Sequence, residues 1–426
     1  MDSNSPPFPG FGIEIESMIV DRGSLAVRPL ADRLLVDGGG AVVNSLPRGP
    51  VTWSNELVAH VLEFKVSAPV ASLDGVAGAI HASAREANRL LERHGARLLG
   101  GGMHPWFDPA GETVLWAHDD HEIYATFHRL FDCRGHGWSN LQSFHLNLPF
   151  AGDAAFRRLH SAIRLVLPLV PVLAAASPFA DGAATGLLDT RLETYRHNCA
   201  RVPVLTGGVI PGVCRSESEY RSRVLGPITR ALAPLDPAGV LEAEWANARG
   251  AIARFDRGTI EIRLGDAQEC PRMDLAVIAG LVALVAGWIA EADAPLAAQE
   301  AVATAALRRL LAATTRRARH ARVADPALLA ACGEAAPLAA GELVRRRLAR
   351  LGALTPDLAL VLDRGCLAER LLAAAGPAPG RPALHAVYRD LAGCLDANAP
   401  FLPPQTNPSP GRGFPPHSAP PWRPWC

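Results

Sequence analysis

The 426-residue chain contains a single lysine, Lys65, so arginine carries nearly all of its positive charge. Without a Gly-Lys-Ser/Thr ending there is no Walker A phosphate loop. A kinase-type phosphate lysine has only that one candidate. No GxSxG elbow occurs, and the glycine clusters at 38–40 and 100–102 do not match GxGxxG. A nucleotide would therefore have to be held by metal and arginine. No CxxC occurs either: the cysteines at 133, 199, 214, 270, 332, 366, 394 and 426 are scattered, which gives a zinc ribbon or redox pair no support. The start, "MDSNSPPFPG", has neither the basic region nor the apolar run of a secretory signal. Free thiols and a cytoplasmic location are expected. Formal net charge is zero, so nothing global points to nucleic acid or to an acidic membrane surface.

Long apolar runs are also scarce. Two uncharged stretches of 16 residues, "LVLPLVPVLAAASPFA" and "LAVIAGLVALVAGWIA", fall short of the ~20 residues needed to span a bilayer. Both read as buried core helices. What the chain does have is apolar content, 49%, ample for a large core. Residues 1–10 read as a loose tail. From 11 to 290, short alternating runs mix with helical patterns, an α+β signature. Residues 73–95 read as an amphipathic helix ended by Gly95, followed by a strand entering the glycine turn of "LLGGGMHP". Helices broken near Pro168 and Pro171 follow. Residues 291–396 are Ala/Leu/Arg-rich helix whose basic parts read as solvated faces. They are either a separate domain or a cover on the first. The proline-rich remainder, 397–426, is expected to be disordered.

The chemistry lies in strand-like segments. "FGIEIES" puts Glu14 and Glu16 on one face and Ile13 and Ile15 on the other. "SFHLNLPF" does the same with His145 and Asn147, and "GTIEIRLGD" with Glu261 and Arg263. Packed side by side, such strands make a sheet with an apolar back under helices and a front of carboxylates, imidazole and guanidinium. "SNELVAHVLEFKV" adds Glu56 and Glu63, whose spacing also fits one face of a helix. Crowded carboxylates resist ionisation unless a cation sits among them. Oxygen-rich ligands with one imidazole suit Mg²⁺ or Mn²⁺ better than zinc. Solvated strand faces explain each segment taken singly.

At these residues the sequence resembles the glutamate–cysteine ligase / carboxylate–amine ligase family, whose catalytic domain is similar to glutamine synthetase. The ordered motifs are "FGIEIE", "ELVAHVLEFKVSAP", "GGMHP", "SFHLNL", "LAAASPFADG…TGLLDTR" and "GTIEIRLGDAQ", spanning roughly 11–285. The resemblance implies a glutamine synthetase-like antiparallel sheet with one polar catalytic face. It also implies an ATP- and Mg²⁺-dependent ligation of a carboxylate, glutamate as first guess, to an amine through an acyl phosphate. Small-molecule substrates are the expected partners, cysteine among the possible amines, and a symmetric homodimer is the default assembly. By motif, Glu14, Glu16, Glu56, Glu63, His145 and Glu261 resemble metal ligands and Arg263 faces the phosphates. Asn147 orients a ligand or touches substrate. His104 lies in a substrate-side loop, and Arg191 is placed to clamp a substrate carboxylate. Arg196, His197 and Arg201 are candidates for the acceptor side. Lys65 is expected to pair with Glu63.

Two departures stand out. Asp189 occupies the position where many relatives carry serine, two before Arg191. Thr259 stands where glutamine synthetase has arginine, which places the match in the ligase branch. Two alternatives remain at this level. One is a metal-dependent hydrolase using His118, Asp119, Asp120 and His121 of "AHDDHEIY". The other is a non-catalytic binding or scaffold member of the family.

Overall fold

The computed structural model describes residues 8–403. Its centre is an eight-stranded antiparallel sheet. The strands are β1 (Gly12–Asp21), β2 (Ser45–Arg48), β3 (Val51–Asn55), β4 (Val61–Val66), β5 (Ala96–Leu99), β6 (Ser143–Pro149), β7 (Ala251–Arg254) and β8 (Thr259–Asp266). Their order is β2-β3-β4-β1-β6-β8-β7, with β5 pairing the far end of β1. Mixed helix and antiparallel sheet is thus the architecture.

Period-two alternation decides which face goes inside. Ile13, Ile15, Phe64, Leu146, Ile260 and Ile262 are all buried, in one core with Ile80, Ile163 and Val277 of the helices behind the sheet. Those helices are Val76–Leu91, Gly152–Val166 and Pro271–Ile289. The first runs into a 3₁₀ turn over Glu92–His94 and stops at Gly95, whose φ of 62° is the left-handed cap that a helix end needs. The second gives way to a 3₁₀ turn at Leu167–Leu169 and a short helix, Val170–Ala174, so the chain breaks at Pro168 and Pro171 as the sequence suggests. Pro271–Ile289 is long and apolar enough to cross a membrane by length and composition, but most of it is buried inside the fold.

The helices after 291 share this core. Leu307, Leu311, Leu343 and Leu348 belong to it, and Thr314 Oγ1 donates to Pro168 O at 2.8 Å. The last helix, Arg381–Ala397, closes over the end of β1: Met18 and Val20 share a cluster with Trp106, Leu384 and Leu391. These two residues lie on the same face as Glu14 and Glu16. The polar face of β1 therefore ends at Glu16 because C-terminal helices cover the rest. The folded core reaches into both stretches that the sequence reads as tails. Phe8 is buried, edge to face with Phe11. Phe401 is buried as well, its N–H donating to Glu269 Oε1 at 2.9 Å. The outer parts of both predicted tails, and Cys426, lie outside the described residues. The other seven cysteines are free thiols.

Candidate functional site

Register brings the polar residues together. Glu14 stands opposite Lys65 on β4 and His145 on β6, and Glu16 opposite Glu63. Asn147 stands opposite Glu261 on β8. Cross-strand neighbours are ~5 Å apart at Cβ, so four adjacent strands build one wall. Glu63 sits on a strand, which removes the helical alternative for its spacing from Glu56. Glu56 enters from the β3–β4 loop.

The strand side chains are held. His145 Nδ1 lies 3.2 Å from Glu14 Oε2 and its Nε2 3.1 Å from Ser143 Oγ. Glu16 Oε2 accepts from Ser143 N at 2.7 Å, Glu63 Oε2 from Ser54 Oγ at 2.7 Å, and Glu14 Oε1 from Asn147 Nδ2 at 3.3 Å. Lys65 Nζ makes the expected pair with Glu63 Oε2, at 2.5 Å. On β8 a register shift lies between Ile262 and Gly265. Such a bulge re-aims a side chain beside a site, and Arg263 falls within it. Its Nη2 donates to Glu261 Oε1 at 2.5 Å.

The electrostatics are those of a place short of positive charge. Burial, with Glu16 beside it, pushes Glu56 up to about 7. Burial and the Glu14 charge push Glu63 well above the carboxylate range. Burial works against a charged His145, yet the Glu14 hydrogen bond and the charges of Glu16 and Glu261 push it up to about 9. Burial likewise opposes the charge on Glu14, but His145 and Lys65 hold it below the usual range. Five carboxylates thus share one imidazolium, one ammonium and the Arg263 guanidinium, with Arg254 Nη1 3.9 Å from Glu261 Oε2 at the edge. Two overlapping sets of donor atoms converge, each within 4.8 Å: Glu14, Glu63 and His145, and Glu16, Glu56 and Glu63. Glu63 belongs to both. This donor set fits hard divalent cations. Glu261 is not among the converging donors; its carboxylate is taken by Arg263.

Beside the wall lies a pocket of about 230 Å³, lined by Glu16, Glu56, His145, Arg263, Tyr124 and Tyr195. The two tyrosines were not foreseen. Both are isolated aromatics outside the strand motifs, so no local period marks them. Ser143 could have been found, since it precedes His145 by two on the same face.

Three expected substrate contacts are corrected. His104 is buried, with Nε2 2.8 Å from Leu25 O and its ring edge to face with Trp106; burial pushes it down to about 3. It serves packing rather than the pocket. Arg191 touches the pocket, but its fork is taken from beneath. Nε donates to Asp266 Oδ1 at 2.5 Å and Nη2 to Leu264 O at 2.6 Å. A bidentate substrate clamp is thus not available. Asp189, the departure from the family pattern, is fully buried and caps the Thr190–Tyr195 helix through Leu192 N; burial and Asp266 raise it well above its ordinary value. Arg196 points to Glu193, 2.7 Å away, and does not line the pocket. His118, Asp119, Asp120 and His121 form a turn and helix start held by Asn44, not a converging ligand set. The hydrolase alternative loses its ligands.

The sequence profile of glutamate-cysteine ligase family 2 matches residues 10–390. The chain belongs to that family. One relative is an uncharacterized protein of Archaeoglobus fulgidus, 38% identical over 263 residues, which span 62% of this chain and 70% of that one. Another, "Putative glutamate–cysteine ligase 2-3" of Rubrobacter xylanophilus, is 30% identical over 287 residues, 65% of this chain and 68% of the other. Among solved structures, glutamate–cysteine ligase of Francisella tularensis, crystallised in complex with AMP, superposes with a TM-score of 0.60 over 92% of this chain and 90% of that one. At 12% identity that likeness is one of fold. Family membership and fold together indicate a carboxylate–amine ligase.

Proposed function

We propose that this family member is an ATP- and Mg²⁺-dependent ligase that joins a carboxylate, with glutamate as first choice, to an amine and releases ADP and phosphate. The observation that carries the reading is the convergence of Glu14, Glu16, Glu56, Glu63 and His145 in two donor sets sharing Glu63. A buried carboxylate cluster is costly without cations, and a binding module gains nothing from it. Mg²⁺, or Mn²⁺ in its place, would supply positive charge there to offset the approach of carboxylate to phosphate.

The chain's own residues do the rest. Glu14, Glu63 and His145 would hold one cation, and Glu16, Glu56 and Glu63 the other. Asn147, Ser143 and Ser54 fix the carboxylates that they touch. Arg263, anchored by Glu261 and edging the pocket, places delocalised charge on the transferring phosphoryl group. A donor carboxylate oxygen takes the γ-phosphoryl and ADP leaves. The amine nitrogen then attacks the acyl carbon, phosphate leaves, and the amine gives up a proton. Tyr124 and Tyr195 line the pocket and keep water from the acyl phosphate. Incubation with ATP, Mg²⁺, glutamate and a panel of amines tests this by ADP release and amide formation. Folded protein that released no ADP above background with any pair would overturn it.

A further inference from the structure

A second cavity, of about 820 Å³, adjoins the candidate site, and the ligation of a free amino acid gives it no task. Gly137, Trp138 and Asn198 line both this cavity and the 230 Å³ pocket, so the two meet along one layer of residues. That layer is tied across: Trp138 Nε1 donates to Asn198 O at 3.1 Å, and Asn198 Nδ2 to Gly137 O at 3.1 Å. Gly137 lets the two segments approach, because a Cβ there would meet Thr194 O at 2.8 Å. Asn198 Oδ1, within the layer, is a buried acceptor with no donor.

The lining has a definite chemistry. Phe131 stacks on Trp138 at 5.7 Å, giving a flat aromatic side. Arg129 and Arg201 donate to backbone carbonyls, of Leu235 and Leu130, rather than to carboxylates. Neither they nor Arg134 pairs with a carboxylate among the described residues. Three carboxylates also line the cavity, none of them paired with an arginine of the lining: Asp108 caps Ala110 N, Asp132 lies 3.6 Å from His128 Nδ1, and Asp181 lies 3.1 Å from His136 Nε2. An 820 Å³ space with an aromatic side and three guanidiniums outside any ion pair among the described residues suits a ligand of drug size bearing an anion.

We propose that this cavity holds the body of the amine substrate. The acceptor is an anionic amine larger than a free amino acid, its planar part against Phe131 and Trp138 and its carboxylate or phosphate at Arg129, Arg134 and Arg201. Its amine reaches the smaller pocket past Asn198. This rests on the ligase reading, whose own test is ADP release.

The binding test does not depend on turnover. Calorimetry with the dipeptide Tyr-Glu, with tyramine phosphate and with uncharged-bodied ethylamine compares wild type with Arg129→Ala/Arg134→Ala, two exposed positions outside the metal-site machinery. Tyr-Glu or tyramine phosphate should bind wild type, and the double variant should bind the same probe at least ten-fold more weakly. Which probe binds decides between carboxylate and phosphate. Ethylamine should show no difference between the two proteins. In the coupled assay with glutamate, the variant should raise KM for the anionic amine about ten-fold and leave kcat unchanged. Equal binding of the anionic probes to both proteins, or no binding to either, would overturn the proposal. If the probes bound as expected while no amine gave ADP, the ligase reading would fail and the cavity's specificity would stand.

Discussion

Arg191→Ala separates a structural arginine from a substrate clamp. Asp266 is fully buried; its Oδ1 takes Arg191 Nε, and its Oδ2 takes Ala176 N at 2.8 Å and Ser177 Oγ at 2.7 Å. Asp189, also fully buried, lies beside the same pair. Removing the guanidinium leaves the buried Asp266 without its counter-charge and Leu264 O without its donor. Breaking a buried pair in this way costs about 3–5 kcal/mol. With a urea dependence near the upper end of the usual range, ~3 kcal/mol per M, the unfolding midpoint should fall by more than about 1 M. Arg191→Ala/Asp266→Asn should recover part of the loss, because no ionised Asp266 is then stranded. Urea titration followed by tryptophan fluorescence reads both. The reasoning is refuted if Arg191→Ala unfolds at the wild-type midpoint while the KM for the donor carboxylate rises steeply, which is the signature of a clamp.

Other perturbations probe the neighbouring parts. Metal-free protein should lose stability as pH rises from about 5 to 9. Glu56, raised to about 7, costs stability once ionised, and the stability that His145 contributes below its unfolded value is lost as pH passes about 9. Glu56→Gln should therefore stabilise metal-free protein by on the order of 2 kcal/mol at pH 8 while weakening Mg²⁺ binding; thermal melts with and without Mg²⁺ check both signs. Gly265→Ala would place a Cβ 2.0 Å from the Phe144 ring. It should cost at least about 1–3 kcal/mol and, by displacing the β8 bulge, slow turnover through Arg263. His104→Phe should destabilise the fold by about 1–3 kcal/mol through the orphaned Leu25 carbonyl and leave the KM values of the refolded enzyme unchanged.

Much of the site was legible because strand period is local information. The alternation in "GIEIES", "FHLNL" and "IEIRLG" says which residues share a face, and the strands pair in a register that keeps those faces together. What could not be read was decided by partners distant in sequence. Arg191 looks like a free guanidinium until Asp266, 75 residues away, is folded beneath it. His104 follows a glycine turn like a loop residue, but Leu25 and Trp106 close around it. Glu56 could be placed only once its neighbours proved to be a strand, a loop and another strand. The burial of Phe8 and Phe401 likewise depends on what packs over them, which composition does not encode.

The central claim is that the two glutamates of β1 form one side of a cation site, and Mg²⁺ binding to Glu14→Ala and Glu16→Ala tests it most directly. Calorimetric titration on folded protein, paired with ATP turnover on the same samples, should show Mg²⁺ affinity lost and ADP release abolished in both variants, with circular dichroism unchanged. Wild-type Mg²⁺ binding and turnover in both would contradict the account and make these carboxylates an ordinary polar strand face.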